Sequence, residues 1–238
     1  MNFKIVFYLL AFQLIATPLV KAQQKEYTAW GAWFHTQKFS PRWGASFDGQ
    51  FRSANHADYL KNVLLRPSAN YYFSKNAHLD LGYAYIASHG RSGDTKTFRP
   101  EHRIFQQFIY SHKVGANTQL SHRLRLEQRF LGSTATQDPY FAQRLRYFIR
   151  GVIPLNRDST FTKGTFVALQ NETFANIQNK HKVNQHLFDQ NRAYIAFGYR
   201  FNKMVDLEAG YLNQYIKHVE SYTLNHVLQI AVYTRFGN

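Results

Sequence analysis

Across residues 27–236, apolar and polar side chains alternate segment after segment with a period of two. That period belongs to extended strands, which send successive side chains to opposite faces; a helix would repeat every 3.6 residues. Residues 42–52, RWGASFDGQFR, set Trp43, Ala45, Phe47, Gly49 and Phe51 against Arg42, Ser46, Asp48, Gln50 and Arg52. Residues 61–73 set Val63, Leu65, Ala69, Tyr71 and Phe73 against Asn62, Arg66, Ser68 and Asn70, with Leu64 intruding on the polar side. The same rule orders residues 78–85, 100–111, 120–130, 144–153, 165–173, 192–201, 205–214 and 224–236. With 27–36 this predicts about eleven strands of about nine to twelve residues, the length a tilted transmembrane strand needs.

The stretch RLRLEQRF, residues 123–130, poses the question of direction. Arg123, Arg125, Glu127 and Arg129 share one face, and Leu124, Leu126, Gln128 and Phe130 share the other, extended by His122 and Leu120. In a soluble sheet the charged face meets water; in an outer-membrane barrel it points inward and the apolar face meets lipid. Two features favour the second arrangement. Aromatics gather near strand ends (Tyr71, Phe73, Tyr83, Tyr85, Tyr199, Phe201, Tyr233, Phe236), as interfacial girdles require. Both signs of charge recur at matching depths, which a narrow lumen needs because a buried charge without a partner is costly. The expected fold is therefore all-β, an antiparallel up-and-down transmembrane β-barrel of 10–12 strands; a secreted soluble β-barrel is the alternative.

Connections near residues 74–76, 115–117 and 202–203 are short, whereas 86–99, 131–142 and 175–188 read as longer polar loops. Short turns at one end and long loops at the other suit a meander in the outer membrane. The odd strand count is at variance with the even numbers of bacterial single-chain barrels. Either the segment from Tyr27 is not a barrel strand, or a further strand hides in 175–188.

The N-terminal residues 1–22 combine basic Lys4, an apolar run over 5–16, Pro18, and Val20 and Ala22 placed for signal-peptidase cleavage. They are expected to be an export signal, too short in its apolar part to span a bilayer, ahead of a barrel domain at 23–238 located in the outer membrane. Its removal lowers the formal charge from +15 to +13, since it carries Lys4 and Lys21 and no carboxylate. A basic chain invites a nucleic-acid reading, but export and the dispersal of arginines along alternating strands argue against that partner. Outer-membrane lipid, lipopolysaccharide and small anions are the expected partners. With no cysteine there are no disulfides and no thiolate nucleophile, and no cofactor is expected.

RWGASFDGQFR, LLRPSANYYF, RPEHRIFQQF, RLRLEQRF, QRLRYFIRG and QNRAYIAFGYRF together resemble the exported Gram-negative family known as domain of unknown function 2490. The resemblance covers most of the chain after residue 22 and rests above all on Glu101-His102-Arg103 followed by Arg123-x-Arg125-x-Glu127-x-Arg129. It implies an outer-membrane β-barrel with a polar interior, and no activity.

The main candidate site is the charge network of the presumed lumen: Glu101, Arg103, Arg123, Arg125, Glu127, Arg129, Arg144, Arg146, Arg150, Glu172, Arg192 and Arg200. Fixed guanidiniums in a confined lumen select or bind anions, whereas full pairing would make the same set a structural plug of salt bridges. A second candidate is catalytic. His89 and Ser92, in the segment SHGRSGD, distantly resemble the His-x-Ser element of outer-membrane phospholipases, in which histidine deprotonates a serine; their spacing of three sets them on opposite faces of a strand. His122, on the presumed lipid face, suits either a lipid-modifying site or the headgroup zone. His181 and His186 lack a carboxylate at ligand spacing, so no metal site is expected. The sequence thus favours a non-catalytic porin-like envelope protein handling small anions or glycolipid, with a lipid- or lipopolysaccharide-modifying enzyme as runner-up.

Overall fold

The structure, a computed structural model, describes residues 24–237 except 55, 94, 116, 136 and 156–160 and the side chain of Ser92. The export signal expected at 1–22 lies outside the described residues. Eleven strands follow in order: β1 (Gln24–Lys38), β2 (Trp43–Ala54), β3 (Tyr59–Tyr72), β4 (Ala77–Ser92), β5 (Thr95–Val114), β6 (Thr118–Leu131), β7 (Tyr140–Pro154), β8 (Gly164–Gln178), β9 (Phe188–Asn202), β10 (Val205–Lys217) and β11 (Tyr222–Phe236). Each pairs antiparallel with its sequence neighbours, and the sheet closes on itself as a barrel.

The closing pair resolves the odd count. Strands that reverse direction at each turn leave the first and the eleventh running the same way, so closure requires a parallel pair. β1 and β11 form it, from Gln24↔Thr223 to Gln37↔Phe236. The segment from Tyr27 is thus a full barrel strand, and 175–188 hides no extra one: β8 and β9 occupy its ends, and a short 3-10 helix, Lys180–Lys182, lies between them. Parallel pairing is slightly weaker per residue than antiparallel, but it removes both sheet edges. Side chains staple the seam on both faces. Inside, the Thr28 hydroxyl donates to Asn225 Oδ1 at 3.0 Å and Phe34 stacks on Tyr233 at 4.8 Å. Outside, Trp33 Nε1 donates to Thr234 Oγ1 at 2.9 Å and Tyr27 stacks on His226 at 5.0 Å.

Strands run from 12 to 20 residues, longer than expected. The largest difference is at 86–99, anticipated as a loop: β4 and β5 continue as a paired hairpin to Ser92↔Thr95. The polar residues there are cross-strand partners, so polarity did not mark a loop. The short connections at 73–76, 115–117 and 203–204, with 39–42, do lie at one end of the barrel, while 132–139 and 179–187 lie at the other. The nine-residue link 155–163 at the first end and the short connections 55–58, 93–94 and 218–221 at the second depart from that expected division. Short polar side chains hold the tight turns. Ser74 Oγ accepts from the amides of Asn76 and Ala77, and Asn202 Oδ1 from those of Met204 and Val205.

The faces are inverted relative to a soluble sheet. Leu124 is 48% exposed where Arg125 is 4%, and Phe197 is 69% exposed where Ala196 is 1%. Outward aromatics form belts towards both ends, with Trp43 on Tyr71 (4.9 Å) and Tyr199 on Phe201 (5.1 Å) at one and Phe130 on Phe141 (5.1 Å) at the other. Tyr233 corrects the expected girdle: it points inward and donates its hydroxyl to Glu208 at 2.8 Å. Leu64, the intruder on a polar face, is buried inside with Ala84, Ile86 and Phe105. Two inward glycines make room for rings. Gly82 is opposite Phe105 and Gly198 opposite Phe166, and a Cβ at either would run into its partner's ring.

Candidate functional site

On β5 to β8, cross-strand register alone would be unfavourable, since Arg103 faces Arg129 and Arg125 faces Arg146. The carboxylates relieve this diagonally. Glu101 takes both Nε and Nη2 of Arg103 at 2.8 Å and Nε of Arg129 at 2.6 Å. Fully buried Glu127 accepts from Arg144 (2.8 Å), Arg146 (2.5 Å) and Arg103 (3.4 Å), with Arg125 at 3.8 Å. Arg146 bridges on to Glu172, which also takes Arg123 at 2.6 Å, and Arg144 reaches Asp189 on β9 at 2.7 Å. The result is a continuous chain of alternating charge. Its low-dielectric setting strengthens each bond and makes each loss expensive.

Inward aromatic rings carry the guanidiniums. Arg125 lies over Phe105 (4.4 Å), Arg146 over Phe174 (4.5 Å) and Arg123 over Phe148 (4.5 Å). This accounts for phenylalanines at polar parity: each ring shields a cation from water while its π-face attracts it. Nearer the end that carries the 203–204 turn, Arg150 pairs with Glu208 (2.6 Å), and Asp206 takes Arg200 (2.8 Å) and Arg235 (2.5 Å). On β2 and β3, Arg66 pairs with Asp48 at 2.7 Å.

All twelve residues of the expected charge network line the interior, and ten of them (Glu101, Arg103, Arg123, Arg125, Glu127, Arg129, Arg144, Arg146, Glu172 and, through Glu208, Arg150) take part in ion pairs there. Arg200 pairs separately with Asp206. Arg192 differs: among the described residues it has no carboxylate within ion-pair distance, and it donates to Gln190 Oε1 at 3.2 Å. Arg52, Arg66, Asp48, Asp189, Asp206, Glu208 and Tyr233 also belong to the charged interior and were not among the expected network. Strand parity carried the signal for all of them except Asp189, which sits at the irregular start of β9.

Two cavities of about 210 and 200 Å³ remain in the interior, and Arg52, Arg66, Arg146 and Arg192 line both. Arginines outnumber carboxylates around each. Among the described residues, four buried donors on the arginines that line this space have no hydrogen-bond partner: Arg66 Nε, Arg123 Nε, Arg125 Nη1 and Arg192 Nε.

The catalytic candidates are apart from this site. His89 is exposed on β4 with its ring 5.2 Å from Phe98, and the side chain of Ser92 lies outside the described residues. His122 lies on the barrel exterior, hydrogen-bonded to the Tyr147 hydroxyl at 2.8 Å and stacked on His112 at 5.5 Å. Among the described residues neither serine nor carboxylate bonds to its ring. His186 Nε2 bonds the Val219 carbonyl at 2.9 Å.

The sequence model of a family described as "Protein of unknown function (DUF2490)" matches residues 27–225, which runs from β1 into β11. The chain belongs to this family. It is also 27% identical over 207 residues to an uncharacterised protein of Methylorubrum extorquens, covering 86% of each chain. No solved structure matches it. As the match takes in every strand of the charged interior, this DUF2490 member presents its arginine network within the family domain.

Proposed function

We propose that this DUF2490 protein is an exported, non-catalytic outer-membrane β-barrel whose narrow arginine-lined interior admits small anions. The observation that carries the reading is the inversion of faces: Leu81, Phe197 and Leu228 stand 59%, 69% and 61% exposed on an exterior belted by aromatics, while the charges turn inward. In water such a surface would be a continuous aggregation-prone patch; against acyl chains it is the favourable arrangement. Closure supports the same reading, because lipid tolerates no unpaired sheet edge. The surplus of guanidinium over carboxylate gives the interior a positive potential, which favours anions.

Cell fractionation tests the location. The protein is expected to sediment with the outer membrane, start near Gln23 and migrate differently on gels before and after heating. Recovery from periplasm or medium without detergent overturns the reading in favour of a soluble binding barrel. Planar-bilayer recording of refolded protein tests the interior: a small anion-selective conductance is expected, and a cation-selective one would refute anion admission. Ester release from envelope lipid by the protein, abolished by His89→Ala or His122→Ala, would establish the lipid-modifying alternative instead.

A further inference from the structure

The interior cations fall into two groups. Arg103, Arg129, Arg144 and Arg146 each touch a carboxylate, so their charge is answered within the protein. Among the described residues, Arg52 and Arg192 have no carboxylate within ion-pair distance, although Glu172 stands across the strand pair from Arg192. Arg52 is 8% exposed and donates Nε and Nη2 only to the Gln50 side-chain oxygen, at 3.1 and 2.5 Å. Arg192 donates Nη2 to Gln190, and its Nε has no partner. The two come from β2 and β9 and share the indole of Trp30 as a platform, 4.0 and 5.3 Å from its ring centroid. Both line both cavities, beside Arg66, which is 5% exposed and also has an unpartnered Nε.

Removing two cations from water with no carboxylate in direct contact is unfavourable. Glutamine oxygens offer only a neutral dipole, and cation–π contact with one indole recovers a small part of the cost. The cavities these arginines line have room for several waters or one small ligand. A guanidinium fork matches the paired oxygens of carboxylates and phosphates, and the surplus of arginine over carboxylate around both cavities calls for a dianion.

We propose that Arg52, Arg192 and Arg66 form a binding site for a small tetrahedral dianion of the phosphate class, seated over Trp30 in the barrel interior. The proposal rests on the anion-admitting reading above and names the ligand class of that interior. Phosphate carries about −1.5 to −2 near neutral pH with at least three acceptor oxygens, enough for one donor from each of the three arginines. The strand wall separates the site from the exterior, so the ligand is a free solute and not a lipid headgroup.

The test titrates inorganic phosphate into the full-length mature barrel refolded in detergent, by calorimetry and by the emission of Trp30 in a Trp33→Phe, Trp43→Phe background. Saturable binding at one site per chain with a shift in Trp30 emission is expected. Arg52→Gln and Arg192→Gln should each weaken it by at least about tenfold, the effect of losing one charge-assisted donor. Lys182→Gln, which removes the same charge from an exposed connection, should leave affinity within about twofold. Heat-modifiable mobility reports folding of each variant. No saturable binding, retained affinity in both arginine variants, acetate binding as tightly as phosphate, or binding only to phosphate-bearing lipid would overturn the proposal. The outcomes separate from those of the functional reading. An outer-membrane barrel that ignores phosphate fails only here, and a soluble protein that binds it fails only there.

Discussion

Two walls of one lumen handle arginine in opposite ways. Along β5 to β8 every buried carboxylate is shared by two or more guanidiniums, and aromatic rings fill behind them. Towards the parallel seam the interior instead holds a packed apolar cluster of Trp30, Phe166, Ala168, Tyr194, Ala196, Leu212 and Val227, beside which Arg52 and Arg192 stand without a direct ion pair among the described residues. On the first wall charge holds strands together. On the second, side-chain packing does so, and charge is left over for a ligand. Burial alone therefore does not tell a structural arginine from a binding one; the partner does.

The strongest challenge to that contrast is Glu127→Ala. It strands Arg103, Arg144 and Arg146 without their shared acceptor, and a loss of about 3–5 kcal/mol is expected. Urea unfolding of the refolded barrel in lipid vesicles reads it, and an unchanged midpoint would mean the charged wall does not hold the fold. Both walls are taken to sit inside acyl chains, which Leu228→Arg at the middle of β11 probes. About 2–4 kcal/mol is expected from a bilayer midplane, against roughly 0.5 at a watery surface. The same vesicle titration distinguishes the two.

Gly198→Ala sharpens the packing side. The added methyl meets the Phe166 ring, and a loss of about 1–3 kcal/mol is expected, falling to about zero when the same substitution is made in a Phe166→Ala background. An equal cost of Gly198→Ala in both backgrounds would show that the ring is not what the glycine accommodates. The smallest effect belongs to Arg52→Gln, neutral to slightly stabilising within about 1 kcal/mol in phosphate-free buffer, because it removes an unanswered buried cation. Destabilisation as large as that of Glu127→Ala would erase the difference between the walls.

Much of this was legible in the alternation. The side of the sheet on which Arg123, Arg125, Glu127, Arg144, Arg146 and Glu172 fall follows from counting by twos, as does the apolar character of the opposite side. The same count places Tyr233 with Asn225, Gln229 and Arg235; reading its aromatic ring as a girdle marker overrode a better local signal. Inward Trp30 and Phe166 are harder, since hydrophobicity alone assigns them outward, and only the guanidiniums and glycines across from them explain their direction.

By itself, the sequence determined strand identity and face, because the two-residue repeat of an extended backbone is local and each strand carries its own copy. The tertiary structure decided how the sheet closes and which charges find partners. Both depend on register between residues far apart in the chain: fourteen aligned positions join β1 to β11, and a carboxylate one step along a neighbouring strand makes Arg146 structural. Where register brings no carboxylate into direct contact among the described residues, as at Arg52 and Arg192, an identical side chain bonds only to a glutamine oxygen.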